Sequence, residues 1–376
     1  MGSRRTVIAV VVAAALCAPS SGSVAAPTVT SGATRAVGAR NHPQMGVQFH
    51  AMWSDYNDTQ RRKVLNKMAA AGVKWVRIDV GWSSLQEQGR GVIGDWYADL
   101  LDEVVDETRK RGMHVLATLW RTPAWANNGA GVIAPPTDAS EYGRIAEWAA
   151  RRYRGRIEAW EVWNEPNLSD FFRGSAADYA KLLKASYRRF KQGDPNAKVL
   201  MGGPSANDTD WLERVYKAGA AGHFDIMATH PYQGMADYPP EHPDDGNVWW
   251  LTHTPAVRRL MKRFGDGNKK IWFTEFGWSS HRNWKGVENW DRGVSAKVQG
   301  KYLVRTLKFV AREYPYVKKV FWYNERNRKT GDKHLDNYGL LKRDLTPKPA
   351  YRAMKRFLTA EPAATARLLM MSERAT

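Results

Sequence analysis

Two glutamates in short polar motifs are the residues whose type and spacing best fit a catalytic role. Glu165 stands in Trp-Asn-Glu-Pro-Asn at residues 163–167, and Glu275 stands in Thr-Glu-Phe-Gly-Trp at residues 274–278. Hydrolysis of a glycosidic bond needs one carboxyl group that protonates the leaving oxygen and a second that attacks the sugar or activates water. Each motif alone is weak, because a glutamate at a strand end is often in a salt bridge. Their joint occurrence predicts an acid/base and a nucleophile, provided that the fold brings the two residues together.

An alternation of apolar runs and amphipathic segments indicates the elements that would position these glutamates. The segments between the apolar runs, such as residues 64–68 and 100–105, carry apolar side chains at a spacing of three to four, which predicts helices. The apolar runs are predicted strands that start near Met45, Lys74, His114, Ile157, Lys198, Phe224, Lys270 and Lys319. Eight such units predict an α/β fold, a (β/α)₈ TIM barrel with a single catalytic domain. A doubly wound open sheet is the alternative, although no glycine-rich phosphate loop follows the first strand.

The carboxyl ends of the predicted strands collect polar and aromatic side chains. In a (β/α)₈ barrel, functional groups come from these ends, and both glutamates fall there, on the fourth and seventh strands. Trp, with 17 residues, outnumbers Tyr with 15 and Phe with 11. Eleven of the tryptophans lie at or beyond strand ends: Trp53, Trp82, Trp120, Trp125, Trp163, Trp249, Trp250, Trp278, Trp284, Trp290 and Trp322. Because aromatic faces stack on sugar rings, this rim predicts a carbohydrate cleft, with about half of these residues only packing against loops.

At these residues the sequence resembles glycoside hydrolase clan A, the retaining (β/α)₈ glycosidases. The resemblance extends from about Met45 to Phe357 and includes His-Pro-Tyr at residues 230–232 and Thr-Pro-Ala-Trp-Ala at residues 122–126. Within the clan the chain is most similar to family 39, with family 5 as neighbour. It departs from the family 5 pattern at the third strand, where Leu-Trp-Arg replaces a His-rich stretch. This departure weakens an assignment as a cellulase.

The resemblance implies a role for each site residue. Glu165 would be the acid/base and Glu275 the nucleophile, which must stay ionised. Asn164 would hold the 2-hydroxyl of the sugar, while Arg77 and Tyr232 would favour the anionic form of Glu275. The residues expected to bind substrate are Asn164, Arg77, His230, Tyr232, Trp322, His50, Trp120 and Trp278.

Further expectations concern the wall of the cleft. Trp322 would lie directly under the reacting sugar, and His50 and His230 would reach its hydroxyl groups. Asp79 shares a strand face with Arg77 and is expected to pair with it. No metal and no cofactor are predicted.

Together these residues predict a secreted retaining glycoside hydrolase. It would cleave β-glycosidic bonds of an extracellular or cell-wall polysaccharide or oligosaccharide by a double displacement on two glutamates. A non-catalytic carbohydrate-binding barrel and a transglycosidase with the same covalent intermediate are the alternatives. The presence of both glutamates and of Asn164, Arg77 and Tyr232 disfavours the non-catalytic barrel. No motif distinguishes the transglycosidase from the hydrolase. The identity of the sugar and exo or endo action are left open.

The start of the chain predicts export. Arg4 and Arg5 precede an apolar run from Val7 to Ala18 and then small residues, so residues 1–25 are predicted to be a signal peptide cleaved after Ala25. Residues 26–40 are predicted to be a flexible lead-in, residues 41–360 the catalytic domain and residues 361–376 a C-terminal tail. The one cysteine of the chain falls inside the signal, so no disulfide is expected.

The chain is strongly basic, with 57 Lys and Arg against 38 Asp and Glu and a formal charge of +19. Basic residues cluster at 151–156, 188–191 and 258–263, on predicted outer helices. This placement fits attraction to an anionic cell-envelope surface, whereas no nucleic acid partner and no membrane span are predicted. An acidic polysaccharide is an open alternative, and the loop residues that could contact it are Arg121, Lys285, Arg292, Arg326 and Arg328.

Overall fold

Eight parallel strands close into a barrel in a computed structural model that describes residues 42–360. The strands are β1 (Gln44–Gln48), β2 (Trp75–Gly81), β3 (His114–Trp120), β4 (Ala159–Val162), β5 (Lys198–Met201), β6 (Ile226–Thr229), β7 (Lys270–Phe276) and β8 (Val317–Trp322). They neighbour one another in chain order, and β1 pairs with β8 to close the ring. The predicted TIM barrel is confirmed, and every strand lies where an apolar run predicted it.

Helices lie between the strands, and several begin at a side-chain cap. They are α1 (Asp58–Ala70), α2 (Trp82–Leu85), α3 (Asp95–Lys110), α4 (Ala139–Arg152), α5 (Ala176–Gly193), α6 (Thr209–Lys217), α7 (Thr254–Arg263) and α8 (Ala296–Glu313), followed by a helix over residues 349–360. Asn57 and Ser175 form capping boxes at α1 and α5, which satisfy backbone N–H groups that the first helical turn leaves free. Within residues 42–360, no helix is long and apolar enough to cross a bilayer.

The terminal segments predicted from the sequence, the signal peptide at 1–25, the lead-in at 26–40 and the tail at 361–376, lie outside the described residues. Their assignments stay predictions.

Strand side chains alternate between the helices and the barrel interior. In β2, Val76 and Ile78 belong to the core beneath the helices, whereas Trp75 belongs to a second apolar cluster. That second cluster consists of Trp75, Leu116, Ala159, Leu200, Ile226, Ala228, Trp272 and Phe321. A Cβ on Gly46 would lie 2.3 Å from the Phe321 ring, so glycine is needed there. The next residue on the same face is Arg77 in β2, Glu161 in β4 and Thr274 in β7. A polar layer therefore lies two residues closer to the carboxyl ends of these strands.

Lys348, just before the helix at residues 349–360, is a buried lysine with a pH-dependent effect on stability. Its Nζ donates to Asn327 Oδ1 at 3.0 Å and to the Asn337 carbonyl at 2.9 Å, and burial lowers its pKa to about 7. Between pH 7 and 10.5 the unfolded lysine holds a proton that the folded one has lost, so stability rises with pH in this window. We expect this rise, at most about 1.4 kcal/mol per pH unit, to be smaller in Lys348→Met.

Urea unfolding of both proteins at pH 6, 7, 8 and 9 measures the effect. The difference between the two proteins cancels the contributions of all other titrating groups. Equal pH slopes for the two proteins would contradict the prediction.

Candidate active site

Glu165 and Glu275 meet at the same rim of the barrel. Glu275 lies on β7, and Glu165 lies three residues beyond β4, after a bend in which Trp163 and Glu165 have φ angles of 71° and 42°. Such left-handed conformations are uncommon for residues other than glycine and are often found at functional sites. One carboxylate oxygen of each glutamate and a ring nitrogen of His230 all lie within 4.8 Å of one another. The predicted pair is therefore assembled, although its members are far apart in the chain.

Glu275 accepts a strong hydrogen bond on each carboxylate oxygen. Arg77 Nη1 donates to Oε1 at 2.7 Å, and the Tyr232 hydroxyl donates to Oε2 at 2.8 Å. Burial and the charge of Glu275 hold the pKa of Tyr232 well above its ordinary value, so this hydroxyl keeps its proton. Burial lowers the pKa of Arg77, but Glu161 and Glu275 more than compensate, so its guanidinium stays charged. These contacts favour the carboxylate form that a nucleophile needs.

Glu161 is a buried carboxylate beneath the site that sequence reasoning missed. It accepts from Arg77 Nε at 2.7 Å, Thr118 Oγ1 at 2.8 Å, Thr274 Oγ1 at 2.7 Å and the Gly203 backbone N–H at 3.1 Å. Burial raises its pKa, but Arg77 and the other donors lower it below the ordinary value, so Glu161 is ionised. The available signal was a charged residue on the inward face of a short apolar strand, four residues before Glu165.

Arg77 also orients two amide side chains. Its Nη1 donates to Gln48 Oε1 and its Nη2 donates to Asn164 Oδ1, both at 2.7 Å. Because the Asn164 oxygen is occupied, its Nδ2 group remains to donate to a sugar hydroxyl. Asp79 differs from the expectation: its Oδ2 accepts from Gln48 Nε2 at 3.1 Å, while Arg77 bonds to Glu161 and Glu275 instead.

His230 links Glu165 to the buried layer. Its Nδ1 lies 2.9 Å from Glu165 Oε1, and its Nε2 lies 3.0 Å from Thr274 Oγ1. Since the Thr274 hydroxyl donates its hydrogen bond to Glu161, its oxygen accepts a hydrogen bond from His230 Nε2–H. The His230 Nδ1 and Glu165 therefore share one proton between them. Burial lowers the pKa of His230, but Glu275 and Glu165 raise it above the ordinary value overall.

His230 lies in close packing with Gly203 and has no exposed surface. A Cβ on Gly203 would lie 2.6 Å from His230 Nε2, so glycine is needed for the ring to enter the layer. The ring itself is fully buried. His230 therefore positions Glu165, rather than reaching sugar hydroxyls as expected from the sequence.

Trp278 and Trp322 also differ from the sequence expectation. Both are buried, with exposed fractions of 2% and 0%, and each indole N–H donates to a backbone carbonyl, of Tyr238 and Tyr338 respectively. Their rings lie 6.2 Å apart, and both pack against the ring of Phe276. Trp322 has no exposed face to offer a sugar, so it supports the site from beneath.

His50 and Trp120 stand on the β1 and β3 sides of the mouth. His50 Nδ1 lies 3.2 Å from Glu325 Oε2, and Tyr56 donates to Glu325 Oε1 at 2.7 Å. Trp120 is half-buried and carries the Arg121 guanidinium over its ring at 4.4 Å. Contact of these two residues with substrate stays a prediction.

The eleven tryptophans assigned to the mouth divide by burial. Trp82, Trp163, Trp250, Trp278 and Trp322 are buried, Trp53, Trp120, Trp125 and Trp249 are half-buried, and Trp284 and Trp290 are exposed. Six of the eleven are thus at least partly accessible to solvent, and five are buried. This division agrees with the expectation that about half would only pack.

Glu165, His230 and Glu275 are also, within residues 42–360, the one cluster of histidine and carboxylate groups close enough to share a metal ion. A cation there would lie beside the Arg77 guanidinium, which contacts Glu275 Oε1 at 2.7 Å. Because like charges repel at short range, the donor set fits an acid and a nucleophile better than a metal site. The prediction that no metal takes part stays a prediction.

The closed barrel with one glutamate after β4 and another on β7 defines the class: the clan A glycoside hydrolases. The model of one family, described as "Cellulase (glycosyl hydrolase family 5)", matches residues 36–328. The chain therefore belongs to glycosyl hydrolase family 5. The expected clan is confirmed, and the family model matches the family that the motifs had placed second.

Named relatives cover part of the chain. A β-xylosidase from Caldicellulosiruptor saccharolyticus is 32% identical over 151 residues, which are 35% of this chain and 30% of the relative. β-Glucosidase 3 from Oryza sativa subsp. japonica is 26% identical over 27% of this chain and 21% of that relative. The chain thus spans less than a third of the length of each of these relatives.

Solved structures from two families are similar. A family 39 glycoside hydrolase from Bacteroides cellulosilyticus WH2 has a TM-score of 0.69 and 25% identity, over 85% of this chain and 64% of that one. GH5_18 from Streptomyces cattleya, in complex with GlcNAc, has a TM-score of 0.65 and 20% identity, over 85% of this chain and 81% of that one. The second likeness supports the fold alone.

Proposed function

We propose that this protein is a retaining β-glycosidase in which Glu275 is the nucleophile and Glu165 the acid/base. The observation that carries the proposal is the approach of a carboxylate oxygen of each glutamate to within 4.8 Å. Retaining glycosidases hold their carboxyl groups about 5–5.5 Å apart, whereas inverting ones leave about 6.5–9.5 Å for a water molecule. The short separation supports direct attack by a carboxylate.

In the first step, Glu275 attacks the anomeric carbon while Glu165 protonates the departing glycosidic oxygen. The bond from the anomeric carbon to the leaving group breaks as the bond to Glu275 forms. Arg77 and Tyr232 hold the attacking carboxylate in place, so little reorganisation accompanies the reaction. His230 holds Glu165 at 2.9 Å on the other side of the site.

In the second step, Glu165 takes a proton from water, which attacks the anomeric carbon and releases Glu275. Once Glu275 is a neutral ester, its negative field on Glu165 is gone, which favours the switch of Glu165 from acid to base. Asn164 Nδ2 is free to hold the 2-hydroxyl of the sugar, a contact that tightens in the oxocarbenium-like transition state.

The proposed substrates are β-linked polysaccharides or oligosaccharides outside the cell. The β-xylosidase and β-glucosidase names of relatives support the β-linkage. The exposed Trp284 and Trp290 support a carbohydrate surface, because these residues are 40% and 54% open to solvent and indole rings stack on sugars. Secretion is supported by the order of charged, apolar and small residues over 1–25. The basic outer helices support attraction to an anionic cell envelope.

The anomeric configuration of the first-formed product tests the proposal. Aryl β-glycosides of glucose, xylose and mannose are turned over and followed by ¹H NMR within minutes. We expect the β-anomer to appear first and the α-anomer later by mutarotation. An initial α-product would show inversion, and absence of turnover across a wider oligosaccharide panel would favour a binding protein.

A further inference from the structure

Arg328 is a cation at the barrel mouth that the proposed reaction does not use. It lies on the loop after β8, half-buried, with its guanidinium 4.4 Å over the Trp53 ring. Its Nη1 donates to the Tyr323 hydroxyl at 2.8 Å, and its Nε is buried without a hydrogen-bond partner. Within residues 42–360, Arg328 has no carboxylate within salt-bridge distance, and its Nη2 makes no hydrogen bond. The guanidinium is thus held in place while its charge is uncompensated.

Two other loop arginines of the sequence expectation are already paired. Arg326 forms an ion pair with Asp55 at 2.8 Å, and Arg292 forms one with Asp237 at 2.8 Å. Arg121 and Lys285 are exposed side chains with no acidic partner among the described residues. Arg121 also lies over an aromatic ring, that of Trp120, but Arg328 differs because the Tyr323 hydroxyl fixes its guanidinium as well. A fixed cation loses less entropy on binding an anion than a mobile one does.

Tyr323 links Arg328 to the residues that surround Glu275. The Tyr323 backbone N–H donates to the Phe276 carbonyl at 2.9 Å, next to Glu275. Its ring lies 6.5 Å from that of Tyr232, which holds Glu275. Burial raises the pKa of Tyr323, Arg328 lowers it, and Glu275 raises it further, so the cation and the nucleophile act on one hydroxyl.

Nearby carboxylates have partners of their own. Glu275 accepts hydrogen bonds from Arg77 and Tyr232. Glu325 is hydrogen-bonded to His50 and Tyr56.

Asp79 also influences Tyr323 and accepts from the Gln48 amide. It is a half-buried carboxylate without a cationic partner in the described chain, so an anionic ligand would sit against Arg328 and away from Asp79.

We propose that Arg328 determines specificity by binding the carboxylate of a uronic acid unit at or next to the reacting sugar. This inference rests on the proposed function and adds the class of substrate. A planar guanidinium matches a carboxylate in shape and charge, and the pair forms charge-assisted hydrogen bonds. Arg328 Nη2, which makes no hydrogen bond within the described chain, provides such a bond, and Trp53 keeps the guanidinium in place.

The experiment compares β-linked oligosaccharides containing uronic acid with their carboxyl-reduced forms, which keep the linkages and lose the charge. We expect wild-type protein to show kcat/KM about ten- to a hundredfold higher on the acidic form, the range for hydrogen bonds to a charged group. Arg328→Gln is expected to remove this preference with little change on the reduced form, and Arg328→Lys to restore part of it. Arg292→Gln, in which a paired loop arginine is lost, is the matched control and keeps the preference.

Two outcomes would overturn the inference. One is equal kcat/KM of wild-type protein on acidic and reduced substrates. The other is an equal loss on both substrates in Arg328→Gln, which would indicate a positioning role through Tyr323. Calorimetric binding of the same pairs to Glu165→Gln is a second readout. Acid-selective binding without turnover in wild-type protein would contradict the proposed function alone, whereas turnover without acid preference would contradict this inference alone.

Discussion

Glu275→Ala is expected to lower kcat on aryl β-glycosides by about 10⁴- to 10⁶-fold. This is the range seen when one member of a set of cooperating catalytic residues is removed. The structure supports a large effect because both oxygens of Glu275 are fixed, by Arg77 and by Tyr232. No other carboxylate in the described chain has these two donors. Steady-state kinetics with a 2,4-dinitrophenyl leaving group measure the loss. Glu313→Ala, at the exposed end of α8, is a control expected to keep full activity.

Azide separates the roles of the two glutamates. In Glu275→Ala, azide can enter the vacated space and attack from the nucleophile's side, so we expect an α-glycosyl azide. In Glu165→Ala, the glycosyl ester still forms with a good leaving group, and azide attacks it from the other side to give a β-glycosyl azide. Exchanged azide configurations would reverse the assignment. Activity of Glu275→Ala within tenfold of wild type would contradict it.

The fold was predictable because its signal is local. Each strand is an apolar run of a few residues, and each helix repeats apolar positions at three to four, so neither needs long-range information. The eight repeated units then select a barrel, and the barrel rule assigns function to the strand ends. Glu165 and Glu275 could be paired on this basis alone.

The layer beneath the site was not predictable in the same way. The contact from Arg77 to Glu161 joins residues 84 positions apart, and its existence depends on the register between neighbouring strands. A charged residue on the inward face of a short strand, such as Glu161, does not reveal from the sequence which residue it pairs with. The burial of Trp322 was missed for a related reason: the motif places it at a strand end, but loop packing decides whether its face is open.

Charge counts were also incomplete as a guide to the surface. Arg151, Arg152 and Arg156 form a basic cluster in the sequence, yet Arg151 pairs with Glu147 on its own helix and the other two pair with Asp102 on α3. Asp102 comes from a separate stretch of sequence, about 50 residues before these two arginines. Part of the positive charge on the outer helices is therefore neutralised locally.

Arg77→Met is expected to lower the free energy of unfolding at pH 7 by about 3–5 kcal/mol, the cost of leaving a buried carboxylate without its cation. Arg77 and Glu161 are both fully buried, and their atoms approach to 2.7 Å. In the wild type, burial raises the pKa of Glu161 but Arg77 lowers it below the ordinary value, so its stabilising effect is present at neutral pH and lost as pH falls through that lowered pKa. Without Arg77, burial raises the pKa of Glu161 above its ordinary value, and the folded variant becomes more stable when Glu161 takes up a proton. The deficit of the variant should therefore shrink as the pH is lowered toward 4.

Urea unfolding at pH 4, 5, 6 and 7 measures the deficit, and a second variant separates stability from catalysis. Arg77→Met with Glu161→Gln removes the lone buried charge, so we expect it to recover part of the unfolding free energy at pH 7. It should not recover turnover, because Glu275 and Asn164 still lack the donors that Arg77 supplies. A deficit that stays constant from pH 7 to 4, or a double variant as active as wild type, would contradict the view that one guanidinium both stabilises the buried layer and orients the nucleophile.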